Sequence, residues 1–212
     1  MVSVNNISKK IKGKTILDHI SYEFQEGKIY GLYGRNGSGK TMLLRAIAGL
    51  IFVDEGSIVI DEKRLHKEID FPESVGIIIE KTDLLPQYDA FTNLKILSKI
   101  KNIANDEDIR NAVEAVGLNP DDKLKVKKYS LGMKQRLSIA QAIFENPDLL
   151  LLDEPTNALD EKSIEMVRNI LLEKKAEGKT IIIASHNKDD LRILADVTLQ
   201  MEDGRLWEKE QE

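Results

Sequence analysis

Apolar residues in this chain fall into two arrangements, and each predicts a different element. Residues 28–33, 75–79, 149–152 and 180–184 are short runs that are apolar at almost every position, as in strands buried on both faces of a parallel sheet. Elsewhere the apolar residues recur at helical spacing. Leu43, Leu44, Ile47 and Leu50 mark a helix over 41–50, and Met133, Leu137, Ala140 and Phe144 line one face of a helix that begins at Ser130, a good N-cap. Further helices are expected over 91–103, over 107–116 (ended by Gly117, Asn119 and Pro120), over 160–176 (ended by Gly178) and over 188–195. Loosely alternating residues 16–24, a hairpin strand at 56–60 turning at Asp61-Glu62-Lys63, and a terminal hairpin of 197–201 with 205–208 complete the pattern. Strands alternating with helices imply an α/β core whose largely parallel sheet is covered on both faces, and the helices from about 91 to 145 form an insertion in it.

Composition narrows the class. At 212 residues, 42% hydrophobic and 32% charged, the chain fits one α/β domain with a real core. A net charge of −5 argues against a general nucleic-acid binder. Zero cysteines remove disulfides, thiolate metal sites and cysteine nucleophiles together, and are compatible with the cytosol. The N-terminus has no secretory apolar core and no window is long enough to cross a bilayer, so membrane association is expected only through a partner.

The chemistry starts at Gly34-Arg35-Asn36-Gly37-Ser38-Gly39-Lys40-Thr41, which matches G-x-x-x-x-G-K-[ST] at every fixed position and sits between an apolar strand and an amphipathic helix. Its glycines let backbone N–H groups turn inward onto phosphate oxygens, and the helix beginning near Lys40 adds its positive end. Lys40 is expected to reach the β- and γ-phosphates, and the Thr41 hydroxyl to ligate Mg²⁺. By itself the loop does not choose among ATPases, GTPases and small-molecule kinases. The strand at 149–152 then delivers Asp153 as an expected Mg²⁺ ligand through water and Glu154 as general base for the attacking water.

Five stretches in order, GRNGSGKT at 34–41, IIIEK at 77–81, YSLGMKQR at 129–136, LLLLDEPTNALD at 149–160 and IIIASH at 181–186, resemble the nucleotide-binding subunit of an ATP-binding cassette (ABC) transporter over nearly the whole chain. The resemblance implies a RecA-like P-loop NTPase fold with a mostly parallel sheet, a small antiparallel β subdomain and a helical insertion. It implies one nucleotide-binding domain over 1–212, with the helical subdomain at about 87–146. ATP and Mg²⁺ are the implied cofactors. His186 resembles the family's switch histidine, which contacts the γ-phosphate, so Glu154, His186 and Lys40 form the expected catalytic set. Ser130 and Gly132 cap a helix N-terminus of the kind that suits an anion. In the family that anion is the γ-phosphate held by a second cassette, so an ATP-dependent dimer is implied, with a loop at 157–160 facing the partner. A separate transmembrane permease is the other implied partner, placing the protein in the cytoplasm against the inner face of the membrane.

Four departures from the family pattern carry information. The adenine-stacking aromatic falls near Ile11, which packs on a base but does not stack as a ring does; Tyr22 is the alternative. Glu80 stands where the family usually has a glutamine that contacts Mg²⁺ or the lytic water, and adds negative charge there. Leu131 replaces the first signature glycine. Glu80, Leu131 and the LLPQYDAFTNL stretch at 84–94 resemble bacitracin- and lantibiotic-type exporters. That subgroup often continues past the final hairpin, whereas ending at Glu212 leaves no room for a C-terminal regulatory domain. The basic run at 123–128 reads as a solvated face, and Trp207 as a packing residue.

Two rival functions remain at this point. A non-transport ABC ATPase acting on ribosomes or DNA would normally need two cassettes or a long coiled-coil insertion. A P-loop kinase would have no use for residues 130–136.

Overall fold

The computed structural model describes residues 1–80 and 84–208; Lys81 of the second motif lies outside them. In chain order the elements are β1 (Val2–Ile11), β2 (Lys14–Phe24), β3 (Ile29–Tyr33), α1 (Lys40–Ile47), β4 (Glu55–Ile60), β5 (Lys63–Arg64), β6 (Val75–Ile78), α2 (Ala90–Lys101), α3 (Asp106–Ala115), α4 (Leu131–Ile143), β7 (Leu149–Asp153), α5 (Glu161–Ala176), β8 (Thr180–Ser185), α6 (Lys188–Leu194), β9 (Val197–Glu202) and β10 (Arg205–Glu208). The large sheet runs β10-β9-β3-β8-β7-β6, and a small sheet runs β2-β1-β4-β5. Every pairing in the large sheet is parallel except β9 with β10, and every pairing in the small one is antiparallel.

The continuous apolar runs divide their residues between two cores. Leu150 and Leu152 of β7 and Ile181 and Ile183 of β8 face the side covered by α4, α5 and α6, where they meet Leu137, Ala140, Val167, Leu171 and Leu191. Leu149, Leu151, Ile182 and Ala184 face the other side, against α1 and the small sheet, among Leu43, Ile47, Ile7 and Phe24. A strand with both faces covered has no polar side to display, which is why these strands lack alternation.

Two differences from the sequence pattern have local causes. β1 is a full strand that the pattern does not announce. Its pairing with β2 shifts register between Val4 and Ile7 and again between Ile7 and Lys9, with Asn6 at φ 50°, so the period-two pattern loses phase partway along. The helix expected to reach Leu50 ends at Ile47. Gly49 takes φ 75°, and the Leu50 N–H donates to the Arg45 carbonyl at 2.9 Å, a left-handed cap that turns Leu50 out to solvent. The caps expected at Ser130 and Asp160 are present, each accepting from a backbone N–H of the first turn.

The small sheet is also tied to the loop before β4. Lys9 Nζ donates to Asp54 Oδ1 at 2.7 Å, and the Lys10 N–H to Oδ2 at 2.7 Å, which holds the Asp54 carboxyl below the usual aspartate range. A depressed carboxylate stabilises the fold above its unfolded pKa, and that contribution disappears as pH falls through the folded value. The expected result is a lower urea midpoint for Asp54→Asn at pH 7, with the difference shrinking as pH falls below the ordinary aspartate value and through the depressed one. A gap that persists unchanged in acid would assign the effect to something other than this carboxylate's charge.

Candidate functional site

Register brings the chemical residues to one place. Tyr33 lies opposite Ser185, Asp153 opposite Ala184 and Leu152 opposite Ile78. The segments that follow these strands, carrying Gly34, His186, Glu154 and Glu80, therefore all leave the same carboxyl edge of the sheet, where open α/β sheets bind ligands.

The glycine loop is shaped by close backbone approach. A Cβ on Gly34 would stand 2.2 Å from the Met201 carbonyl oxygen, and one on Gly39 would stand 2.8 Å from that of Ile16 and 2.7 Å from Met201 Cε. Gly39, at φ 111°, is the N-cap of α1. The Gly204 N–H donates to the Ser38 carbonyl at 3.0 Å, so β2 and the β9–β10 turn brace the loop from behind. Arg35, Asn36 and Gly37 form its exposed rim. Lys40 is buried, with its ammonium donating to the carbonyls of Gly34 at 2.7 Å and Arg35 at 3.2 Å. Burial holds its pKa below the ordinary lysine value, while Glu154 and Asp153 pull upward. The buried Ser38 Oγ has no hydrogen-bond partner among the described residues.

Beside the loop, Thr41 Oγ1 donates to Asp153 Oδ2 at 2.6 Å. Burial pushes the Asp153 carboxyl above the usual aspartate value, and Glu154 and Glu80 add to this, against the Thr41 hydrogen bond and the charge of Lys40. A hydroxyl and a carboxylate in contact are hard oxygen donors of the kind Mg²⁺ takes alongside phosphate oxygens and water. The orphaned Ser38 hydroxyl and the glycine-rich loop fit phosphate oxygens.

Glu154 and His186 bond to each other directly. Glu154, at φ 49°, accepts from the His186 backbone N–H at 3.0 Å, and its Oε1 lies 2.7 Å from His186 Nδ1. Its Oε2 accepts from Ser185 Oγ at 3.2 Å. The sequence placed both residues at one edge but gave no sign of this contact or of Ser185. Nor did it signal Arg45, whose Nη2 lies 2.7 Å from Glu80 Oε2. That pair is largely solvated and contributes at most about 1 kcal/mol.

The other predicted residues lie apart from this cluster. Ser130 bonds within its own helix, its Oγ accepting from the Met133 N–H and its carbonyl from the Lys134 N–H. Leu131 is 71% exposed. A Cβ on Gly132 would stand 3.1 Å from the Ala158 carbonyl, so this helix start packs on the loop at 157–160. Ile11 ends β1, opposite Lys14 across a tight turn and 40% exposed, on the hairpin whose Ile16 touches Gly39. Tyr22 belongs to an aromatic cluster with Phe24 and Tyr30. Among the described residues, no helix is long and apolar enough to cross a membrane.

Known proteins resemble this chain in sequence and in fold. The family model for ABC transporters matches residues 17–157. The ABC transporter ATP-binding protein YybJ of Bacillus subtilis is 63% identical over 206 residues, covering 97% of this chain and 94% of that protein. The lantibiotic transport ATP-binding protein SrtF of Streptococcus pyogenes is 37% identical, covering 92% and 84%. The bacitracin transport ATP-binding protein BcrA of Enterococcus faecalis is 36% identical, covering 99% and 68%. The fold matches the dimeric structure of MJ0796, a bacterial ABC transporter cassette, with a TM-score of 0.89 at 23% identity, covering 99% of this chain and 98% of that one. With ATP and Mg²⁺ as its cofactors, the chain belongs to the ABC transporter family as an ATP-binding and ATP-hydrolysing subunit.

Proposed function

We propose that this subunit is one half of an ATP-driven cassette pair that powers a separate permease exporting an antimicrobial peptide. The observation that carries the substrate class is the likeness to SrtF and BcrA across nearly the whole chain; the resemblance of Glu80 and Leu131 to the exporter pattern supports it. Attachment to the inner face of the membrane would come through the permease, and residues 87–146 would act as the helical subdomain that communicates with it.

Within one chain, Lys40 exchanges its hydrogen bonds to the Gly34 and Arg35 carbonyls for the β- and γ-phosphates, while backbone N–H groups of 34–39 close round the phosphate oxygens. Thr41 and, through water, Asp153 would hold Mg²⁺, with Glu80 as a further oxygen donor. When bound, Mg²⁺ would supply charge neutralisation for the phosphates. Glu154 takes the proton of the attacking water, and His186, held on Glu154 through Nδ1, orients that water and meets the γ-phosphate. Ile11, at its hairpin tip, covers the adenine. Ser130, Gly132 and the N-terminal N–H groups of α4 find no role inside their own chain's cluster. They complete the site of a second copy by binding its γ-phosphate.

Susceptibility measurements on a strain lacking this gene test the reading. Deletion is expected to lower the inhibitory concentration of a lantibiotic or of bacitracin. The wild-type gene should restore it, whereas Ser130→Arg, which obstructs the shared site, should not. Unchanged susceptibility to every such peptide sinks the substrate class, and full rescue by Ser130→Arg sinks the two-chain site.

A further inference from the structure

One buried carboxylate outside all the motifs joins the two loops that carry the Glu154–His186 pair. Asp190, on α6, is 3% exposed. Its Oδ2 accepts from Thr156 Oγ1 at 2.7 Å, and its Oδ1 accepts from Arg168 Nε at 3.2 Å and from Arg168 Nη2. Thr156 follows Glu154 by two residues in the loop after β7. Arg168 comes from the middle of α5, and α6 itself begins just after His186, capped by Asn187. A single side chain thus fastens the Glu154 loop, the helix behind it, and the helix into which His186 leads.

Those bonds complete the fixing of the Glu154–Thr156 segment. The Glu154 N–H donates to the Ala184 carbonyl at 2.8 Å, Gln135 Nε2 donates to the Pro155 carbonyl at 2.9 Å, and Thr156 is held by Asp190. Apolar side chains would pack α5 against α6 without the cost of burying a charge. A hydrocarbon contact tolerates sliding, however, whereas a carboxylate with donors on both oxygens sets position and angle together. The Glu154–His186 contact requires the loops after β7 and β8 to keep one relative placement.

We propose that Asp190 is a positioning residue for hydrolysis, acting through Thr156 on Glu154 and through α6 on His186. The proposal rests on the roles given to Glu154 and His186 above. Asp190 touches no reacting atom. It holds the base at the depth where Oε1 reaches both the His186 ring and the water to be activated.

Thr156→Val tests it, because the change keeps the shape of the side chain and leaves the Asp190–Arg168 pair intact. Steady-state ATP hydrolysis by the purified full chain is expected to lose about tenfold in kcat with KM for ATP held within about twofold. Thr156→Ser, which restores the hydroxyl, should return kcat to near the wild-type value. A kcat for Thr156→Val equal to wild type overturns the proposal, as does a loss that Thr156→Ser shares. Should Thr156→Val fail to fold, Arg168→Lys, which keeps the charge but loses the two-point hold on Asp190, must lower kcat at constant KM or the proposal falls. Glu154→Gln in the same assay separates the two readings. If it stays active, the role of Glu154 and this proposal fall together; if it is inactive while Thr156→Val is unaffected, only this proposal falls.

Discussion

Glu154→Gln is expected to lower ATP turnover by about a thousandfold while leaving ATP binding intact, a loss in the range for removing a general base. Glutamine keeps a carbonyl oxygen to accept from the His186 N–H, and its amide nitrogen can donate to Ser185 Oγ where the second carboxylate oxygen had accepted, so the local fold has little reason to move. What disappears is the ability to receive a proton. The change also removes one of the charges that raise the Asp153 carboxyl, so affinity for Mg²⁺ with ATP should hold or improve. If the site is completed by a second copy, the variant cannot finish the cycle, and ATP should convert it from monomer to a long-lived dimer on size-exclusion chromatography. Turnover within threefold of wild type would remove Glu154 from the chemistry. Loss of binding along with turnover would instead make it a ligand-holding residue.

The largest expected effect on stability lies at a position that no motif marks. In β6, a Cβ added to Gly76 would sit 1.9 Å from the Ala142 carbonyl oxygen and 2.9 Å from Leu150 Cδ2. The first neighbour is helix backbone, which cannot rotate away, so α4 must lift from the sheet. Gly76→Ala should therefore cost about 3 kcal/mol, the upper part of the usual range for an overpacked core. For a chain of this size that is roughly a 10 °C drop in melting temperature. Calorimetry of the two proteins decides it, and a drop of under 2 °C would mean that β6 and α4 separate more easily than their contact implies. ATP turnover in the folded fraction should fall as well, since β6 leads to Glu80 and α4 begins at Ser130.

These two positions show where the sequence was legible. Lys40, Thr41, Asp153 and Glu154 could be read because their spacing and strand contexts are imposed by the chemistry of phosphate. The buried strands could be read because two covered faces leave a continuous apolar run. β1 was hidden because its shifted register breaks the alternation on which strand recognition depends. Gly76 looked like one more small residue in an apolar run, since nothing local says that the Ala142 carbonyl packs against it. Nothing in the local sequence marks Asp190 and Arg168 as buried partners. Their burial arises only when α5 and α6 meet, which no window of sequence contains. The pairing of Arg45 with Glu80, 35 residues apart at a sheet edge, likewise lies outside any local window.

The bracing of the glycine loop also orders events in the making of the protein. The wall behind Gly34, Gly39 and Ser38 is built from Ile16 on one side and from Met201 and Gly204 on the other. A chain emerging from the ribosome has shown every motif by His186, yet it still lacks the hairpin that closes this wall. N-terminal segments organise first during synthesis, so the loop waits on residues made after every motif has emerged. A chain that stops short of the β9–β10 turn therefore carries all five motifs and still lacks the wall against which the glycine loop is held.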